Sequence, residues 1–86
     1  MSSKSVTLKV LTPTGTVFEG AVEAVFLPGT AGPFEVLPDH APIVTTLEKG
    51  RIEWRKGGEL SGLGIERGAA ILDKNVLTAC VEGVSQ

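Results

Sequence analysis

Arg51-Ile52-Glu53-Trp54-Arg55 alternates charged and apolar residues one by one, and Lys56-Gly57-Gly58 follows directly. Side chains on a strand point to opposite faces in turn, so this spacing sends Ile52 and Trp54 to a core and Arg51, Glu53 and Arg55 to water. A glycine pair supplies the positive φ of a tight primed turn, which predicts that Leu60 to Ile65 returns as the second arm of a hairpin. The same period of two runs through Val6-Thr7-Leu8-Lys9-Val10, and Thr12-Pro13-Thr14-Gly15 then turns the chain. Further along, Thr16 to Glu19 and Ala21 to Leu27 read as strands divided at Gly20. Phe34 to Leu37 and Ala41 to Leu47 read as two more, with Glu48-Lys49-Gly50 as a turn. Ala69 to Leu72 and Val76 to Val81 flank Asp73-Lys74-Asn75, an Asx-rich turn. The window Ala69 to Glu82 is long enough for a helix, but its β-branched residues and central turn oppose one. The expectation is an all-β fold, a small β-sandwich of about 8–10 short antiparallel strands. It forms a single domain over residues 1–86, with no linker, repeat or low-complexity segment.

With 86 residues, the chain buries only about 60–65% of the surface that its unfolded form exposes, so its stability is modest. A content of 42% hydrophobic and 21% charged residues excludes disordered and collagen-like classes. No apolar run approaches the roughly 18–20 residues of a membrane span, and Met1 to Ser5 is not followed by the apolar core of a leader. A cytosolic protein is expected. The single cysteine, Cys80, cannot close an internal disulfide. A net charge of −2 with eight scattered basic residues gives no field to gather nucleic acid or anionic lipid.

Few residues offer reactive chemistry. His40, Asp39 and Cys80 could be cast as base, orienting acid and nucleophile, but neighbours on a strand face opposite ways and Cys80 reads as a small buried apolar residue. One histidine and one cysteine do not make the three or four ligands of a metal site. Gly29-Thr30-Ala31-Gly32 lacks the following helix and the lysine of a phosphate loop, so its glycines serve the backbone. Arg51, Arg55 and Lys56 are interrupted by Glu53 and read as a solvated face. No catalytic, cofactor-binding or metal-binding residue is expected, and no cofactor.

The segment from Val25 to Pro42 is different. Pro28, Pro33, Pro38 and Pro42 stiffen it and remove four amide donors, so it holds a set shape at low entropic cost. Phe34 and Leu37 are expected to pack inward, leaving Thr30, Ala31, Pro33 and Glu35 as an exposed tip. Preorganised loops on a rigid sandwich are where binding surfaces usually sit. On physical grounds alone the chain is a binding module.

Leu11-Thr12-Pro13, Phe18-Glu19-Gly20, Val25 to Gly29 and Gly32 come in the same order as in the epsilon subunits of rotary ATP synthases. Leu37-Pro38-Asp39-His40-Ala41-Pro42-Ile43-Val44-Thr45, followed by Leu47-Glu48-Lys49-Gly50, carries the most specific part of the resemblance. The likeness covers Val6 to about Glu82. It implies a β-sandwich and a non-catalytic part of the central stalk of a proton-translocating ATP synthase, coupling rotation of the membrane c-ring to the gamma shaft and to ATP synthesis. By position, Thr12, His40, Ala41, Pro42 and Thr45 match places where the family faces gamma. Gly29, Thr30, Ala31, Gly32, Pro33 and Glu35 match its c-ring-facing loop. The implied partners are the gamma subunit and the c-ring, with no nucleic acid. The implied location is the cytoplasmic face of an energy-coupling plasma or inner membrane, as a peripheral subunit attached only through the complex.

The chain departs from the family pattern in several places. Ala31 and Pro33 stand where the family often has acidic residues, which moves any charge-assisted ring contact to Glu35. Asp39 replaces a glycine before His40, so the backbone there either avoids positive φ or accommodates aspartate in it. Of Gly62-Leu63-Gly64 and Gly68-Ala69, the second fits the family's paired-glycine position better. No helical segment follows Val81 in this sequence; if residue 86 is the natural end, the resemblance implies coupling without the inhibition of ATP hydrolysis that the family's helical domain provides. A second reading is a free-standing sandwich that presents residues 28–42 to a small ligand or peptide. A third, an enzyme built on His40 and Cys80, ranks last.

Overall fold

The computed structural model describes residues 5–85. Nine strands follow in chain order: β1 Val6–Thr12, β2 Gly15–Val22, β3 Ala24–Leu27, β4 Phe34–Val36, β5 Ile43–Leu47, β6 Gly50–Lys56, β7 Glu59–Ile65, β8 Arg67–Asp73 and β9 Val76–Glu82. They make a five-stranded sheet in the order β2-β1-β9-β8-β5 and a four-stranded sheet in the order β4-β3-β6-β7. The alternation read from the sequence sets the buried face of each. β1 turns Val6, Leu8 and Val10 inward, β6 turns Ile52 and Trp54 inward, and β9 turns Leu77, Ala79 and Val81 inward. Among the described residues no polar or charged side chain is buried. Each fully buried aliphatic side chain is worth about 1.5–3 kcal/mol relative to exposure. Trp54 keeps 6% of its surface exposed. Its ring lies 4.6 Å from that of Phe18 on β2, bridging the two sheets at one corner.

Two turns take the primed form that matches strand twist. Gly57 and Gly58 join β6 to β7 with φ of 60° and 80°. Lys74 and Asn75 join β8 to β9 with φ of 50° and 64°, a left-handed pair made without glycine. Asparagine is among the residues that tolerate this region best.

Several expectations are corrected. The chain does not break at Gly20, which pairs with Leu8 in the middle of β2. The break is at Glu23, where the chain leaves one sheet for the other: Val22 pairs with Val6, Ala24 pairs with Arg55, and the Glu23 amide donates to the Arg55 carbonyl at 2.7 Å. One pair of neighbours is parallel, β1 with β9, from Thr7 opposite Val76 to Leu11 opposite Cys80. Hairpin-linked neighbours must run antiparallel, but β1 and β9 are joined only through the rest of the chain, so no turn dictates their direction. Cys80 is exposed, because Ala79 and Val81 on either side face the core. Leu37 is 49% exposed, while Phe34 packs against the core as expected.

The directions of the strands fix where the loops fall. β5 is antiparallel to β8, and β8 to β9, so β1, β9 and β5 all run the same way. Val6, Val76 and Ile43 mark one end of the five-stranded sheet. Thr12, Glu82 and Leu47 mark the other.

Candidate binding surface

Two short segments carry most of the residues singled out in the sequence; one is tied to β5 and the other leads into it. The first follows β3. The Gly32 amide donates to the Gly29 carbonyl at 2.9 Å, closing a β-turn that lifts Thr30 and Ala31 into solvent. Gly29 itself is buried, and a Cβ there would lie 2.8 Å from the Gly32 carbonyl oxygen and 2.9 Å from the Phe34 ring. Glycine is required by close approach. The turn is tied to β5 by three further contacts. Glu48 N–H donates to Pro28 O at 2.9 Å, Thr30 N–H donates to Thr46 O at 3.1 Å, and the Thr30 and Thr46 hydroxyls meet at 2.7 Å. Thr30, Ala31, Pro33 and Glu35 are exposed as read from the sequence, while Gly32 is half-buried with φ of 131°.

The second segment precedes β5. Leu37-Pro38-Asp39-His40 closes with a bond from the His40 amide to the Leu37 carbonyl at 3.2 Å, and Asp39 has φ of 67°. Proline second and a positive φ third make a type II turn, whose third residue is ordinarily glycine or asparagine. That answers the question left open by the sequence: the backbone accommodates aspartate at positive φ. The cost is met by Asn75 in the β8–β9 turn. The Asp39 amide donates to Asn75 Oδ1 at 2.6 Å, and Asn75 Nδ2 donates to Asp39 Oδ1 at 3.0 Å. The His40 ring donates from Nδ1 to the Ala41 carbonyl at 2.8 Å, because a carbonyl can only accept. His40, Ala41 and Pro42 are all exposed.

Thr12 stands apart from this pair. It lies at the far end of β1, and its hydroxyl is already engaged, donating to the Gly15 carbonyl at 3.1 Å and accepting from the Thr14 amide at 3.3 Å. With about 3.3 Å of rise per residue, the seven-residue β1 puts Thr12 roughly 20 Å along the sheet from the His40 end. Thr45 is half-buried on the inward side of β5, opposite the buried Ala70. Between these points the outward face of the sheet carries Val44, 82% exposed, paired with the exposed Ile71, a feature that strand-by-strand reading missed. The outward phase of Val44 and Ile71 was nonetheless legible from their neighbours.

The other candidates resolve simply. Cys80 sits five residues beyond Asn75 along β9, roughly 16 Å from the turn that holds Asp39 and His40, so the three do not meet. No group of three potential metal ligands occurs among the described residues. Arg51 pairs with Glu53 at 3.6 Å, Arg55 covers Phe26 with its guanidinium 5.6 Å from the ring centre, and Lys56 lies over Phe18 at 5.9 Å. The basic cluster is a solvated face, as expected. No helix among the described residues is long and apolar enough to cross a membrane.

A five-stranded and a four-stranded sheet around one apolar core define a small β-sandwich domain. The family model described as "ATP synthase, Delta/Epsilon chain, beta-sandwich domain" matches residues 5–86, and the chain belongs to that family. It is 36% identical over 78 residues to the ATP synthase epsilon chain of Leptospira interrogans, covering 91% of this chain and 61% of that one. To the epsilon chain of Prochlorococcus marinus it is 37% identical over 79 residues, covering 92% and 59%. The chain thus spans about three-fifths of the length of these relatives. Among solved structures, a chain of the Euglena gracilis mitochondrial ATP synthase superposes with a TM-score of 0.91 at 20% identity, covering 98% of this chain and 54% of that one. A chain of the Tetrahymena thermophila ATP synthase central stalk and c-ring gives 0.78 at 13% identity, covering 98% and 68%. At such identities the superpositions speak for the fold.

Proposed function

We propose that this sandwich works as the epsilon-type domain of a central stalk, turning with a gamma-type shaft and linking it to the c-ring of a proton-translocating ATP synthase. It is not an enzyme: nucleotide chemistry belongs to other subunits, and this domain transmits motion. One observation carries the reading beyond family membership. The turn at Gly29–Gly32 and the strand β5 are locked together by two backbone hydrogen bonds and a hydroxyl pair. A part that passes torque between two partners must not yield between its two contact surfaces, and this lock joins the two segments assigned to different partners.

On the shaft side the contact residues would be His40, Ala41 and Pro42, with Thr12 at the far end of the sheet, while Thr45, turned to the inward side of β5, would support the contact from behind. A single partner that reaches both ends must lie along the five-stranded sheet, over Val44 and Ile71. On the ring side Thr30, Ala31, Pro33 and Glu35 are exposed, and Glu35 supplies the charge that Ala31 and Pro33 lack. The domain would sit on the cytoplasmic face of its membrane, held there by the complex alone.

The test is a mixture of the purified chain with the gamma subunit of its organism, followed by gel filtration. Co-elution at one-to-one stoichiometry that His40→Ala weakens is the expected result. No complex at micromolar concentration would refute the reading and favour a free-standing module that uses residues 28–42 for a smaller ligand. On the ring side, proton-driven ATP synthesis that is unchanged by Glu35→Ala and by replacement of Thr30 would overturn that assignment.

A further inference from the structure

Resting on the proposed contact between His40 and the shaft, we infer that Asn75 is the positioning residue of that contact, acting through Asp39 to hold His40-Ala41-Pro42 in docking shape. Thirty-six residues separate Asp39 from Asn75, yet they exchange two hydrogen bonds, one to the Asp39 backbone and one to its side chain. The backbone bond fixes the third residue of the turn that aims His40. The side-chain bond occupies the Asp39 carboxylate, which otherwise could bond locally and draw the chain out of positive φ. Asn75 is itself anchored. Its left-handed φ belongs to the β8–β9 turn, and its carbonyl accepts the Thr7 amide at 2.8 Å at the start of β1. The exposed segment is thereby fastened to the β8–β9 turn and, through it, to the start of β1, all within the five-stranded sheet.

The remainder of the segment has little else to hold it. Asp39 to Pro42 are all exposed, and the other bonds of His40 are to Leu37 and Ala41 within the same loop. Glycine at position 39 would reach the same φ without strain but would offer no side chain to Asn75. Aspartate accepts some strain and gains an anchor. A docking loop ordered before contact loses less entropy on binding, and binding tightens in proportion to the population of the competent shape.

The experiment exchanges the two side chains. In Asn75→Asp the turn conformation is kept and one oxygen still accepts the Asp39 amide, but two carboxylates then face each other where Nδ2 met Oδ1. In the double variant Asp39→Asn with Asn75→Asp the amide and the carboxylate have changed places, and both hydrogen bonds can form again. Two quantities are measured: backbone order of residues 39–41 in the free protein by 15N relaxation, and affinity for the gamma subunit. Wild type is expected near the rigid limit, with order parameters of about 0.85, and Asn75→Asp below about 0.6. Affinity is expected to fall about tenfold in Asn75→Asp, with both quantities recovering in the exchanged pair. An ordered loop in Asn75→Asp, or no recovery on exchange, overturns the inference. So does a loosened loop with unchanged affinity when His40→Ala weakens binding. If wild type itself fails to bind gamma, the proposed shaft contact falls, and with it Asn75's role in docking, while loop order still reports whether Asn75 fixes the segment.

Discussion

Gly29→Ala adds one methyl group, and the structure says what that group meets. Gly29 lies outside the glycines with positive φ, so the cost is steric. The new Cβ falls 2.8 Å from the Gly32 carbonyl oxygen and 2.9 and 3.0 Å from two carbons of the Phe34 ring. The ring is packed against the core, and Gly32 is held by the bond from its amide to the Gly29 carbonyl, so neither can swing aside freely. If the turn stays docked, overpacking of this kind costs about 1–3 kcal/mol. If it detaches, it gives up two backbone hydrogen bonds and a hydroxyl pair at about 0.5–1.5 kcal/mol each, about 1.5–4.5 kcal/mol in all, a range that overlaps the first. Both routes converge on a similar loss. For a domain of this size about 2 kcal/mol lowers Tm by about 8–16 °C. Thermal unfolding followed by far-UV circular dichroism reads this directly, and hydrogen exchange at the Thr30 amide separates the routes, since only detachment exposes it. A Tm within about 2 °C of wild type would refute the claim that glycine is required there by close approach. Phe34→Leu in the Gly29→Ala background should return part of the loss, because it removes one of the two obstacles.

Trp54→Ala should cost about 3–5 kcal/mol, much of the stability of so small a domain, and urea unfolding would measure it as a collapsed midpoint. Native Cys80 should react with a thiol reagent at nearly the rate of the unfolded chain, whereas a buried thiol would be protected; stopped labelling decides between them. Arg67→Ala should change stability by less than about 0.5 kcal/mol despite the 2.9 Å contact with Glu82, since both groups are exposed. A larger change in a denaturant titration would mean that this pair does more than its exposure allows.

The strands were legible because burial in β1, β6, β8 and β9 follows a period of two. Val6 to Val10, Ile52 with Trp54, and the Gly57-Gly58 turn all fall as the pattern requires. The misreadings share one cause, which is that residue type was allowed to outweigh position. Gly20 looked like punctuation, yet it lies in a continuous strand, and the corner came three residues later because the chain there changes sheets. Cys80 was judged by its apolar character, although Ala79 and Val81 beside it already fixed it on the outer side. Leu37 was assigned inward for the same reason, with no strand partner to hold it there.

For the site, the resemblance identified the segments and the structure supplied their relations. Nothing local in the sequence says that Asp39 meets Asn75, or that Thr12 and His40 lie at opposite ends of one sheet. Those facts depend on sheet order, and sheet order depends on pairings between strands far apart in the chain. The type II turn at Leu37–His40 was the exception. Proline followed by aspartate carried that signal, and the missing glycine obscured it.

The parallel seam between β1 and β9 has a consequence for the birth of the molecule. During synthesis at roughly 5–20 residues per second, about 70 residues must be added after β1 before β9 exists, a delay of about 4–14 s. Over that interval β1 can pair with β2 but keeps its other edge bare, an invitation to any passing strand. The hairpin of β6 and β7 can form early from local contacts, but the five-stranded sheet cannot close. The order of manufacture therefore makes the last strand the keystone of the first, and the nascent chain depends on protection from its neighbours until that strand arrives.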